Sequence, residues 1–260
     1  MLGAIAGDMI GSVYEAAPIK HEDFPLWDPH CRATDDSVLT VAIADAAMRD
    51  ADYRAALLRW GHRYPHAGYG VGFAKWLRAP HNGAASFGNG SAMRVSAIGW
   101  LFDAEAAVLD AAQASALPTH DHPEGIRGAQ AVALAVFLAR SGITREDLRM
   151  RLRLRFGYDL DRSLGEIRPH YGFDASCPGS VPEAIIAFLE SSDVEDAIRK
   201  AISLGGDADT QACIAGAIAE AYYGEVPPRI LRPLYDRLPV DMRDVVARFE
   251  QRRGAVRAPA

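Results

Sequence analysis

Apolar residues recur at helical spacing in one segment after another of this chain, and nowhere do they form a convincing series of strands. In "DSVLTVAIADAAMRDA", Val38, Leu39, Ala42, Ile43, Ala46 and Ala47 make a stripe broad enough to be deeply buried. "AEAAVLDAAQASAL", "IRGAQAVALAVFLARSG", "VPEAIIAFLESS", "VEDAIRKAISLG" and "TQACIAGAIAEAYYG" repeat the pattern, and their Ala and Gly content permits close helix approach. One stretch points the other way: "LRMRLRLRF" alternates apolar residues with Arg at period two, a strand signal. Thr144, followed three residues later by Asp147, is a helix-start pair, so this stretch too reads as a helix with its arginines on a solvated face. The fold class expected is all-α, in one domain over residues 1–250, with "QRRGAVRAPA" at 251–260 as a frayed tail. Between residues 61 and 93 the chain is rich in Gly, Pro and Asn, and a long loop of that kind inside a helical protein points to function.

Composition narrows the partners. A net charge of -6 gives no electrostatic reason to expect nucleic acid or an acidic membrane. Cys31, Cys177 and Cys213 are the only cysteines and lack CxxC spacing, which fits a reducing cytoplasm better than a disulfide framework or a zinc knuckle. "MLGAIAGDMIGS" is apolar but interrupted by Asp8 and has no basic leader, so it reads as a buried helix rather than a signal peptide. No apolar run approaches the roughly 20 residues of a membrane span.

Two acidic runs stand immediately before apolar helices. In "TDDS", Thr34 is a good N-cap, and Asp35 and Asp36 fall in the first turn, where the helix dipole favours carboxylates. Capping alone would explain one such run. "SLGGDADTQACIAGA" repeats the arrangement with Asp207, Asp209 and Thr210, which suggests that both helix starts converge on something cationic. Carboxylates and hydroxyls are hard ligands that suit Mg²⁺, Mn²⁺ or Ca²⁺ and disfavour zinc or copper. Six such groups are too many for one magnesium that keeps its waters, and a pair of cations uses them better. Neither run has the spacing of an EF-hand loop.

Taken together, "GAIAGDMIGSVYE", "TDDS", "YPHAGYG", "SFGNGSAMRVSAIGWL", "THDHPEGIRGA", "VPEAIIAFL" and "SLGGDADTQACIAGAIAEAYYG" resemble, in order and over most of residues 3–224, the ADP-ribosylglycohydrolases. These are the group related to the glycohydrolase that reactivates dinitrogenase reductase. The resemblance implies a compact single-domain orthogonal helical bundle holding two Mg²⁺ (or Mn²⁺) at the base of a cleft. It further implies that Thr34, Asp35 and Asp36 ligate from one helix start and Asp207, Asp209 and Thr210 from the other. Glu15 matches the family's flexible catalytic glutamate, and Glu15 and Asp36 are the candidate catalytic carboxylates. Without the resemblance, Glu15 would be read as a surface residue. Asp8 matches a family residue and is expected to orient a ligand or cap a loop.

The resemblance makes "SFGNGSAMR" the diphosphate and adenine loop. There Gly88 and Gly90 let backbone amides approach phosphate oxygens. Ser86 and Asn89 are candidate donors, and Phe87 is the candidate stacking partner of adenine, with plain core packing as its alternative. No Lys-Ser or Lys-Thr follows, so this is not a Walker loop. His120 is expected near the phosphates or the distal ribose, with His122 less clearly placed, and Tyr69 as a candidate lining residue. Cys213 reads as core. The expected activity is Mg²⁺-dependent hydrolysis of the bond between ADP-ribose and a modified acceptor, a protein side chain or a small O-linked ester, by a cytoplasmic monomer. A two-metal nucleotide phosphohydrolase and a non-catalytic ADP-ribose-binding module are the alternatives. The acceptor is not legible.

Overall fold

A computed structural model of the chain describes residues 1–49, 51–80 and 84–257. Residues 81–83 of the expected functional loop, and 258–260 of the expected tail, lie outside the described residues. The first eight helices are α1 (Leu2–Gly11), α2 (Asp35–Ala47), α3 (Tyr53–Arg63), α4 (Val71–Arg78), α5 (Gly90–Met93), α6 (Ser96–Leu101), α7 (Glu105–Ala116) and α8 (Pro123–Arg140). There follow α9 (Arg145–Phe156), α10 (Leu164–Ile167), α11 (Cys177–Leu189), α12 (Val194–Ile202), α13 (Ala208–Tyr223), α14 (Pro228–Arg237) and α15 (Val240–Arg257). Among the described residues the only extended pairings are single bridges, Ala85 with His120 and Gly88 with Ser176. The all-α expectation holds, and α15 runs through Arg257, into the stretch expected as a frayed tail.

Helix α13 is the axis of the core, packed by α1, α12, α11 and α8. Every residue of α1 is buried, and the reason it can lie so close to α13 is the absence of side chains where the two meet. A Cβ on Gly7 would stand 2.0 Å from the Ala212 carbonyl oxygen, and one on Gly11 would stand 2.6 Å from Asp209 Cα. The C-terminal end of α1 is thereby pressed against the start of α13, where the second acidic run lies.

The period-two stretch is helical. Thr144 caps α9 by accepting from the Asp147 amide at 3.1 Å, and Gly157, at φ 72°, ends it. Only Leu148, Leu152 and Phe156, four residues apart, are buried, while Arg151, Arg153 and Arg155 form ion pairs on the exposed side. Cys31, Cys177 and Cys213 are buried free thiols. Among the described residues no helix is long and apolar enough to cross a membrane.

Candidate active site

A buried carboxylate in α1 organises the first acidic run. Asp8 accepts hydrogen bonds from the Thr34 amide (3.0 Å), the Thr34 hydroxyl (2.5 Å), the Ser37 amide (3.0 Å) and the Ser37 hydroxyl. Burial pushes the Asp8 carboxyl above its ordinary range even though Ser37 and Thr34 donate to it. Thr34 caps α2 by accepting from the Asp36 amide at 3.3 Å. The strap that Asp8 makes and the cap that Thr34 makes hold Asp35 and Asp36 at one position on the first turn of α2.

The second run is fixed by other means. Asp207 opens α13 and its Oδ2 accepts from Asn89 Nδ2 at 2.8 Å; the same nitrogen donates to Ser180 Oγ at 3.1 Å. Asn89 is buried with both amide hydrogens engaged, so it positions Asp207 and has no side-chain donor to spare. Asp209 accepts from the Thr210 amide at 2.9 Å, and the Thr210 hydroxyl is 3.8 Å from Met93 Sδ. Glu15, exposed on the segment after α1, reaches back: one oxygen each from Glu15, Asp207 and Asp209 lie within 4.8 Å of one another.

Both runs and Glu15 line one cleft of about 630 Å³, the size of a small-molecule site. Its electrostatics call for a cation. Burial, then Asp209, Asp8, Asp35 and Asp207, push Asp36 well above the carboxylate range, and Asp36 Oδ2 is buried without a hydrogen-bond donor. Asp209 is raised likewise by burial and then Asp207, and Asp35 is pushed up to about 7 by burial and then Asp8. Burial and Asp207 raise Glu15, with Arg32 opposing. Among the described residues no Lys or Arg forms an ion pair with any of them. An all-oxygen donor set with uncompensated buried charge fits hard divalent cations.

The expected ligand loop forms a second wall, clamped on both sides. Asp121 donates its amide to Ala84 O (3.0 Å), while Asn89 N donates to Ala175 O (2.8 Å) and Cys177 N to Phe87 O (2.9 Å). Ser86, Gly88, Asn89, Gly90 and His120 all line the cleft. The Ser86 hydroxyl accepts from the Gly88 amide at 3.1 Å. Phe87 is 54% exposed, which removes core packing as its role, but it lies outside the lining, its ring 5.5 Å from that of His122. His122 itself caps α8 by accepting from the Glu124 amide at 3.1 Å. Tyr69 is also off the lining: its ring packs on Phe73 at 4.9 Å, and burial followed by the Asp35 charge raises its hydroxyl. Cys213 is core, its thiol donating to Met93 O at 3.3 Å.

Phe173 and Arg94 are among the lining residues that the sequence reading did not single out. Phe173 is 62% exposed at the cleft, on a loop where nothing in the sequence marks one aromatic above another. Arg94 is wholly buried against the same cleft, and a lone Arg inside the apolar run "AMRVSAIGW" was a visible signal.

Residues 1–257 match the family model described as ADP-ribosylglycohydrolase. ADP-ribosylhydrolase ARH3 of Homo sapiens is 30% identical over 305 residues, covering 86% of this chain and 84% of the relative. ADP-ribosylarginine hydrolase Tri1 of Pseudomonas putida (strain GB-1) is 27% identical over 293 residues, covering 92% and 77%. A solved structure titled ADP-ribosylglycohydrolase-related protein complex superposes with a TM-score of 0.70 over 97% of both chains at 24% identity, a likeness of fold.

Proposed function

The chain belongs to the ADP-ribosylglycohydrolase family and is a glycosidic-bond hydrolase; from that premise we propose that it releases intact ADP-ribose from a modified protein side chain or a small O-linked ester, and that it needs two divalent cations, Mg²⁺ or Mn²⁺. The observation that carries this reading is the convergence of Glu15, Asp35, Asp36, Asp207 and Asp209 on one cleft without a compensating Lys or Arg ion pair among the described residues. Thr34, Asp35 and Asp36 would hold the cations from α2, and Asp207, Asp209 and Thr210 from α13. Bound there, the ions would supply charge that orients the ribose hydroxyls beside the scissile bond and offsets the carboxylates.

The remaining work falls to the chain. Asp8 fixes Thr34 and the start of α2, and Asn89 fixes Asp207. Departure of the acceptor leaves positive character at C1″, which negative side chains favour. Asp36 takes a double part as ligand and catalytic carboxylate, since its Oδ2 is buried without a donor. Glu15, at the exposed edge, takes a proton from the attacking water and returns it to the departing atom. Ser86, Gly88, Gly90 and His120 face the diphosphate, Phe87 stacks on adenine, and Tyr69 backs the wall near Asp35. Buried free thiols suit a cytoplasmic protein, taken here as a monomer.

Arginine-linked, serine-linked and small O-ester-linked ADP-ribose, each incubated with the protein and Mg²⁺, test the reading by product mass. Free ADP-ribose from one of them is the expected result and names the acceptor class. AMP would show cleavage of the diphosphate instead, and binding without multiple turnover would make the protein a reader of ADP-ribose; either would overturn the proposal.

A further inference from the structure

Arg94 is buried completely, yet it forms no ion pair among the described residues. Its Nη2 spends both hydrogens, on Ser115 O at 2.9 Å and on Thr119 Oγ1 at 2.9 Å, while Nε and Nη1 have no hydrogen-bond partner. Burial pushes the guanidinium down to about 9, against the opposing charges of Cys177 and Asp35. Thr119 Oγ1 in turn stands 2.7 Å from Nδ1 of His120, a ring that is itself buried and lines the cleft.

The direction of this chain follows from what each group can do. A guanidinium only donates, so Thr119 Oγ1 must accept from Arg94. Among the described residues the one hydrogen-bond neighbour able to take the hydroxyl hydrogen is His120 Nδ1, which favours donation from Thr119 to the ring. Burial, then the Arg94 charge, hold His120 well below the ordinary imidazole range, so the ring carries a single proton. A ring that accepts at Nδ1 carries that proton on Nε2. The loop facing Nε2 is glycine at its nearest positions: a Cβ on Gly90 would lie 3.3 Å from Nε2, and one on Gly88 would lie 3.8 Å away.

We infer that Arg94 and Thr119 are positioning residues that lock His120 as its Nε2–H tautomer, so that the cleft presents an N–H donor where the substrate must carry an acceptor oxygen, a phosphoryl oxygen of the diphosphate. The substrate half of this inference rests on the ADP-ribose reading above; the tautomer half does not. A hydrogen-bond donor buried opposite the glycine loop selects for a group that can only accept, and rejects one that would bring a second N–H to the same place.

Long-range ¹H–¹⁵N correlation spectra of the full chain with Mg²⁺ test the tautomer directly, with a His120→Asn spectrum identifying the resonance among the eight histidines. The Nε2–H pattern is expected, and an Nδ1–H ring would overturn the inference. Thr119→Val keeps the branched shape and removes the hydroxyl. It should release the tautomer and weaken ADP-ribose binding by about tenfold, the loss of one hydrogen bond to a charged acceptor, with kcat at saturation nearly unchanged. Thr119→Ser should retain both readouts at the wild-type level, and Arg94→Lys, which keeps a cationic donor, should retain the tautomer. A folded Thr119→Val protein with unaltered tautomer and affinity would overturn the inference; should that variant not fold, the wild-type spectrum still decides. Wild-type protein showing the Nε2–H ring but no affinity for ADP-ribose would overturn the functional reading and leave the tautomer standing.

Discussion

Glu15 is exposed while the carboxylates it approaches, Asp207 and Asp209, are buried, and under the proposed mechanism base and ligand are its two candidate duties. Glu15→Gln separates them, because glutamine keeps the shape but cannot accept a proton. Turnover should fall by about 10²–10⁴-fold, with cation and ADP-ribose affinities by calorimetry close to wild type. Rescue of the rate by added Mg²⁺ would make Glu15 chiefly a ligand, and a rate within a few-fold of wild type would remove it from the mechanism. Phe87 and Phe173 compete for a second duty, stacking on adenine, since both are exposed aromatics and only Phe173 lines the cleft. Phe87→Ala should weaken ADP-ribose binding and leave ribose 5-phosphate alone, by the roughly 0.5–1.5 kcal/mol of an aromatic stack. The selective loss appearing in Phe173→Ala instead would move the adenine to that side.

At the scale of the element, α2 carries the site at its first turn and an anchor near its last. Asp45 accepts from Arg49 (2.9 Å), Arg59 (2.9 Å), Trp60 (3.3 Å) and Arg248 (3.2 Å), tying α2 to α3 and α15. Burial raises its carboxyl, but the donors outweigh burial and hold it below its ordinary 3.8. A carboxylate depressed in the folded state stabilises it above the unfolded pKa, and that stability is lost as pH falls through the folded value. Asp45→Asn should therefore cost about 1–3 kcal/mol at neutral pH, and in denaturant titrations the gap from wild type should close below about pH 4. A gap that persists into acid would assign the effect to packing. Most helices were legible because periodicity reports a buried face, and caps such as Thr144 with Asp147 report a start. Periodicity does not report which helix meets that face. The strap from Asp8 to Thr34 and Ser37 spans 26 and 29 residues of sequence, and the hold of Asn89 on Asp207 spans 118, pairings too distant along the chain for periodicity to report. The two acidic starts could be read because hard ligands in duplicate at helix N-termini are chemically conspicuous. Phe173 could not, since an exposed Phe with no motif around it has no signature of its own.

For the molecule as a whole, folding brings together a segment after α1, the starts of α2 and α13 and a clamped glycine loop, so the carboxylate cluster of the cleft exists only in the folded state. Anything that binds there stabilises the fold by mass action, by about 2.7 kcal/mol at a hundredfold excess over Kd. The melting temperature of metal-stripped protein should accordingly rise with Mg²⁺, and Asp36→Asn or Asp209→Asn should blunt that rise by removing a charged ligand. The whole account rests on those carboxylates gathering divalent cations for hydrolysis of the ADP-ribosyl bond. The most direct measurement is the turnover of metal-stripped protein on an ADP-ribosylated acceptor as Mg²⁺ is titrated back, with bound ions counted. Activity absent in chelator that returns to full rate as two ions bind per chain is the predicted result; full turnover by metal-free protein in excess chelator would contradict it.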